Sequence, residues 1–295
     1  MTTASNFIRA RDALRFTTHP TPGKAFFVCS VNGVSGGGSS PDQPALTIAA
    51  ALLLCTADKG DTIFVLPGHV ETITGAGGVT VSTAGVTIVG IGHGRQRGLV
   101  NYTTAAAASF DITAARTTIE NLVFTMTGVD AVTAGINISA ADCVIRNCEI
   151  ETADATNQAA LGILTTAAAN RLRIENCHIH GTGDAGTTTQ ISMVGGTDIV
   201  IRDNVIIGAC GASAGNIANA TTDSKNLVIH GNLINNLTAS STKVIVLTAT
   251  STGLITNNRL AILSGTAPVT GAAMNFAGNV YSAAAGVTAG TASTF

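Results

Sequence analysis

Six versions of one seven-residue block decide the fold: TIENLVF (118–124), VIRNCEI (144–150), RIENCHI (173–179), VIRDNVI (200–206), VIHGNLI (228–234) and LITNNRL (254–260). Each is apolar, then Asn-rich, then apolar. The second residues, Ile119, Ile145, Ile174, Ile201, Ile229 and Ile255, are separated by 26, 29, 27, 28 and 26 positions. A weaker copy, TIVGIG (87–92), extends the series upstream, and GNVY (278–281) closes it downstream after a shortened coil.

A period in the high twenties is shorter than ankyrin, tetratricopeptide or propeller units, and the Leu-rich signature is absent. Each coil carries a second apolar stretch upstream of its block: SFDI (109–112), GINI (135–138), LGIL (161–164), ISMV (191–194) and VIVL (244–247). That pattern predicts two or three short strands per coil. Strands of successive coils then pair in parallel about 4.8 Å apart, giving a rod on the order of 40 Å long. The expected fold is all-β: a single-stranded right-handed parallel β-helix with an N-terminal arm and a short capping helix.

Stacking turns repeat positions into columns. The position after the central Asn reads Leu122, Cys148, Cys177, Asn204, Asn232, Asn258 and Asn279. Successive Asn side chains at that spacing predict an inward ladder in which each amide satisfies the next. Cys148 and Cys177 continue the column as inward packers. The position before the central Asn alternates in charge, Glu120, Arg146, Glu175, Arg202 and His230, which reads as a surface ion-pair ladder contributing little per pair.

Composition agrees with a stack of tight turns. The 295 residues could fill two average domains, but repeat folds reach that length as one unit. Charged residues make up 11% of the chain, against about 25% in ordinary soluble domains. Gly, Ala, Thr, Ser and Asn take their place. A formal net charge of −2 gives no reason to expect nucleic acid or an anionic membrane as a partner. No segment offers 18 unbroken apolar residues, and the start, MTTASNFIRARDALRFTTHP (1–20), has no apolar secretory core. The expectation is a protein made in a cytoplasm and not exported by the general secretory route. Six cysteines without a CxxC pair exclude a zinc knuckle or redox motif and read as small buried residues.

The N-terminal region, GKAFFVCSVNGVSGGGSSPDQPALTIAAALLLCTADKGDTIFVLPGHVETI (23–73), adds a Gly/Ser loop, a helix expected near 44–56, then Gly60-Asp61-Thr62-Ile63 and Pro67-Gly68. With the repeat, this resembles the pectin-lyase-like parallel β-helix superfamily from about residue 24 to 281, and among its members the bacteriophage virion proteins. The resemblance implies a division into an arm (1–22), a cap and entry segment (23–60), the β-helix (61–285) and a tail (286–295). It is specific for fold and unspecific for chemistry.

Enzymes of that superfamily carry carboxylates, and in lyases an Arg or Lys base with calcium-binding Asp residues, on an outward strand face. No position here matches the calcium-and-arginine pattern, so no catalytic residue, cofactor or metal is assigned. The best constellation is Glu149 and Glu151 on one coil beside His178 and His180 on the next. Its alternative is two surface Glu–His pairs. The next coils present Val205, Ile207 and Leu233 on the same face, an apolar run that suggests a contact with another subunit. The absence of Trp and the presence of only two Tyr, Tyr102 and Tyr281, weigh against a sugar-binding groove.

The function expected from these features is a non-enzymatic structural protein of a phage virion, a capsid decoration or fibre subunit anchored by its arm to capsid or tail proteins. The resemblance implies a homo-oligomer, with a trimer the common form. A tailspike polysaccharide depolymerase and a cell-surface adhesin are the alternatives.

Overall fold

The computed structural model describes residues 23–182, 187–211, 213–219, 221–264 and 268–283. The arm (1–22) and the tail (286–295) lie outside the described residues. Three parallel sheets form the body. One has ten strands, from Ala25–Val28 to Met274–Ala277; one has nine, from Val70–Ile73 to Val280–Ala283; one has eight, from Val79–Val81 to Val269–Thr270. From Thr62 onward the chain visits the ten-, nine- and eight-stranded sheets in strict rotation. The protein is therefore a parallel β-helix with three strands per coil.

The repeat fixes the register. Ile63, Ile88, Ile119, Ile145, Ile174, Ile201, Ile229 and Ile255 are successive Cα partners in the ten-stranded sheet. All eight are buried. The nine-stranded sheet adds Val100, Phe124, Ile150, Ile179, Ile206, Ile234 and Leu260 as its inward column. Each fully buried aliphatic side chain contributes about 1.5–3 kcal/mol by transfer from water, so these stacked columns are the main source of stability. The eight-stranded sheet includes Ile217–Asn219, a strand not evident from the sequence because its second inward residue is Asn219 rather than an aliphatic.

The corners explain the central Asn. Asn121, Asn147, Asn176, Asp203, Gly231, Asn257 and Gly278 all have φ between 54° and 68°. They turn the chain from the ten- to the nine-stranded sheet in the left-handed conformation that only Gly, Asn and Asp adopt readily. A second left-handed corner precedes the ten-stranded sheet at Arg116, Asp142, Arg171, Asp198 and Asn226. Here exposed ion pairs run between coils: Arg116 donates to Asp58 and Arg171 to Asp142, while Asn226 donates to Asp198.

The column just after the first corner forms a hydrogen-bonded ladder. Cys177 donates its backbone N–H to Asn204 Oδ1 at 2.9 Å. Asn204, Asn232 and Asn258 each donate both backbone N–H and side-chain Nδ2–H to the Oδ1 of the Asn in the following coil, at 2.9–3.0 Å. Their remaining Nδ2 protons reach the carbonyls of Ile174, Ile201 and Ile229 in the preceding coil. Cys148 and Cys177 use their thiols in the same way, toward the carbonyls of Ile119 and Ile145. All six cysteines are free thiols.

The alternating-charge column departs from a surface ladder. Arg146 pairs with Glu120 and Arg202 with Glu175, but Glu120 and Glu175 are only 6% and 8% exposed. Each pair thus joins a part-exposed arginine to a buried carboxylate, and its rupture removes the charge that compensates the buried one. His230 ends the column on the Thr256 hydroxyl, at 2.9 Å.

The cap is shorter than its sequence suggests. The helix spans Ile48–Leu52, capped by the Thr47 hydroxyl on the Ala50 N–H, instead of covering 44–56. In chain order it occupies the place of an eight-stranded-sheet strand in the coil before Thr62–Val65, and it packs against Val79–Val81. Its first residue, Ile48, donates to Glu71 Oε2 at 2.7 Å, and His69 meets the same oxygen at 3.0 Å. Glu71 sits in the inward register of Val100, where acidic character at a helix N-terminus stands in for an aliphatic. Asp61 of the GDTI segment accepts the Lys24 and Thr56 N–H groups, tying strand, loop and first coil together.

Candidate functional site

The outer face of the nine-stranded sheet carries the chemistry. Strand alternation points Ile150 and Ile179 inward and leaves their neighbours outside. Parallel pairing sets Glu149 against His178 and Glu151 against His180. The contacts then run diagonally. His180 Nε2 lies 3.4 Å from Glu149 Oε1, rather than turning to Glu151 beside it. The two imidazoles, two residues apart on one strand, stack with centroids 4.6 Å apart. A β-bulge at Thr152 follows immediately, with the Thr152 hydroxyl on the His180 carbonyl.

Arg97 completes the cluster. It leaves a short 3₁₀ turn at Gly94–Gln96 and reaches the second oxygen of Glu149, Oε2. Sequence reading missed it, because Arg97 lies 52 residues before Glu149 in an irregular turn outside the repeat block. Partial burial pushes the Glu149 carboxyl up, but Arg97 and His180 outweigh this and hold it below its ordinary value. Burial, and then the neighbouring His180, lower the His178 pKa. The site is thus an ionised carboxylate held by a guanidinium beside two stacked histidine rings. A carboxylate kept ionised by arginine is poorly suited to act as a general acid.

One of the two columns through the cluster has apolar neighbours, whereas the other continues mostly through polar residues, Thr72, Asn101 and Thr125 before it and Ile207 and Asn235 after it. In register with Glu149 and His178 stand Val70, Leu99 and Val123 on one side and Val205 and Leu233 on the other. Leu233 is 40% exposed, whereas Val205 and Ile207 are half-buried. Elsewhere, a groove of about 620 Å³ runs between the capping helix and strand Val79–Val81, lined by Ala50, Leu53, Cys55 and Thr80 among others. It holds no acid–base pair. The Cys55 thiol is pushed up to about 12 by burial and by Asp61, which removes it as a nucleophile. The hydrogen bond with Cys148, together with burial, likewise raises the Cys177 thiol well above its usual range.

No protein-family model and no curated protein matches the chain.

Proposed function

We propose that the protein is a non-enzymatic structural subunit of a bacteriophage virion, a capsid decoration or fibre rod of the pectin-lyase-like superfamily, wound right-handed as parallel crossovers overwhelmingly are. One observation carries the reading: along the outer face of the nine-stranded sheet one column reads Val70, Leu99, Val123, Glu149, His178, Val205 and Leu233 in register, five apolar residues broken by a single polar pair. A largely apolar outer column suits lateral packing of rods into a homo-oligomer, with a trimer the arrangement to test first. The N-terminal 22 residues then serve as the anchor to capsid or tail proteins. Truncation to residue 23 should leave thermal unfolding unchanged and abolish incorporation into particles; collapse of the fold on truncation contradicts the assignment.

The Arg97–Glu149–His180 cluster favours a second reading, a tailspike depolymerase acting on acidic polysaccharide. Incubation with host capsular and lipopolysaccharide fractions, followed by measurement of new reducing ends or unsaturated uronate, separates the two. Turnover that disappears when Glu149, Glu151, His178 and His180 are all replaced by Gln would establish the enzyme; no turnover on any fraction supports the rod.

A further inference from the structure

We propose that Glu149, His178 and His180 form a site for one divalent transition-metal ion of the zinc class, clipping two adjacent coils together on the outer face. One ligand atom from each of the three residues lies within 4.8 Å of the others. His180 Nε2 and Glu149 Oε1 are 3.4 Å apart, long for a hydrogen bond. Metal–nitrogen and metal–oxygen bonds of about 2.0–2.2 Å at tetrahedral angles put two ligands roughly 3.3 Å apart, so this pair already spans one edge of such a site. His178 completes the site by a side-chain adjustment on an exposed position, bringing its ligand atom in from within 4.8 Å of the other two.

The backbone makes the arrangement without special loops. Residues two apart on a strand share a face, so His178 and His180 project side by side, and parallel stacking brings Glu149 of the preceding coil against them. Arg97 holds the other carboxylate oxygen, Oε2, and leaves Oε1 facing His180. Ligating carboxylates are ordinarily oriented by such an outer hydrogen bond.

Donor chemistry selects the ion. Two imidazoles and one carboxylate oxygen suit zinc, cobalt, nickel or copper, whereas calcium and magnesium demand oxygen-rich shells. The Arg97 charge disfavours any cation that cannot gain strong nitrogen bonds in exchange. Three protein ligands leave a fourth position open on the outer face. This inference is independent of the structural-subunit reading, because a metal clip serves either a rod or an enzyme.

The test uses the full chain titrated with Co²⁺ and then with Zn²⁺. One Co²⁺ per chain should give the ligand-field absorption of a tetrahedral nitrogen and oxygen site, with no thiolate charge-transfer band, and Zn²⁺ should displace it and raise the melting temperature. His178→Gln, His180→Gln and Glu149→Gln should each weaken binding by more than about tenfold. His230→Gln, a change on the ten-stranded sheet away from the cluster, should not. Far-UV circular dichroism confirms that each variant keeps its β structure, and His178→Ala and His180→Ala provide a second pair of variants. Absence of the ligand-field band at millimolar Co²⁺, a thiolate band in its place, or a band that survives replacement of both histidines overturns the proposal.

Discussion

Asn232 directs two protons, its backbone N–H and its side-chain Nδ2–H, at the single Oδ1 of Asn258, both at 2.9 Å. The relationship repeats from Asn204 to Asn279, so each amide is at once acceptor for one coil and donor to the next. Both residues are buried, so neither amide has water to fall back on. Replacing Asn232 by Leu should therefore destabilise the fold by about 1–3 kcal/mol, leaving the Asn204 and Asn258 groups unpaired. Chemical denaturation checks it, and a neutral substitution contradicts the ladder's energetic role.

A comparison of corners tests the backbone account. Asn176 has a φ of 54°. Asn176→Gly should be nearly neutral, while Asn176→Val should cost about 1–2 kcal/mol through left-handed strain. Equal effects of the two substitutions on the denaturation midpoint would count against strain as the cause.

The two ion-pair columns should respond differently to truncation. Arg146→Met removes the charged partner of Glu120, which is 6% exposed and keeps the weaker Asn147 amide contact, and should cost about 1–3 kcal/mol. Arg171→Met removes a pair whose members are both well exposed and should leave the denaturation midpoint within error. Raising the salt concentration should erase what little the Arg171 pair contributes and leave the Arg146 pair largely unchanged.

Protonation of the outer cluster gives a pH dependence with a definite sign. His178 has a lowered pKa in the folded state, so between that value and the ordinary histidine value near 6.5 the unfolded chain binds more protons. Stability then falls as pH drops below about 6.5. Glu149 is also lowered, so its contribution is present above the ordinary glutamate value and is lost on further acidification. His178→Gln should flatten the stability profile between about pH 7 and 5 relative to wild type. An unchanged slope contradicts the assignment.

Much of this architecture was legible because stacking repeats one physical requirement in every coil. Ile119 through Ile255 announce the register through identity and spacing alone, and Asn204, Asn232 and Asn258 stand in consecutive coils where a ladder can form. Other features had no repeat to betray them. The strand Ile217–Asn219 escaped notice because Asn219 fills an inward position, bonded to Ser251 at 2.7 Å instead of packed among aliphatics. Glu120 and Glu175 read as surface charges because sequence does not show how deeply the fold buries their carboxylates. Arg97 was invisible for a related reason: its partner lies two coils away, and only folding brings them together. The left-handed corners were in plain view as Asn, Asp and Gly, but their backbone conformation emerges only from the fold.

The central claim, that this rod is a building block of a particle, is tested most directly by electron cryo-microscopy of purified virions from wild type and from a mutant lacking the gene. Wild-type particles should show a slender three-faced density of this β-helix, anchored at its N-terminal end and present in several copies per particle, that vanishes in the mutant. Particles of identical structure with and without the gene, and no copy of the chain among their components, would contradict it.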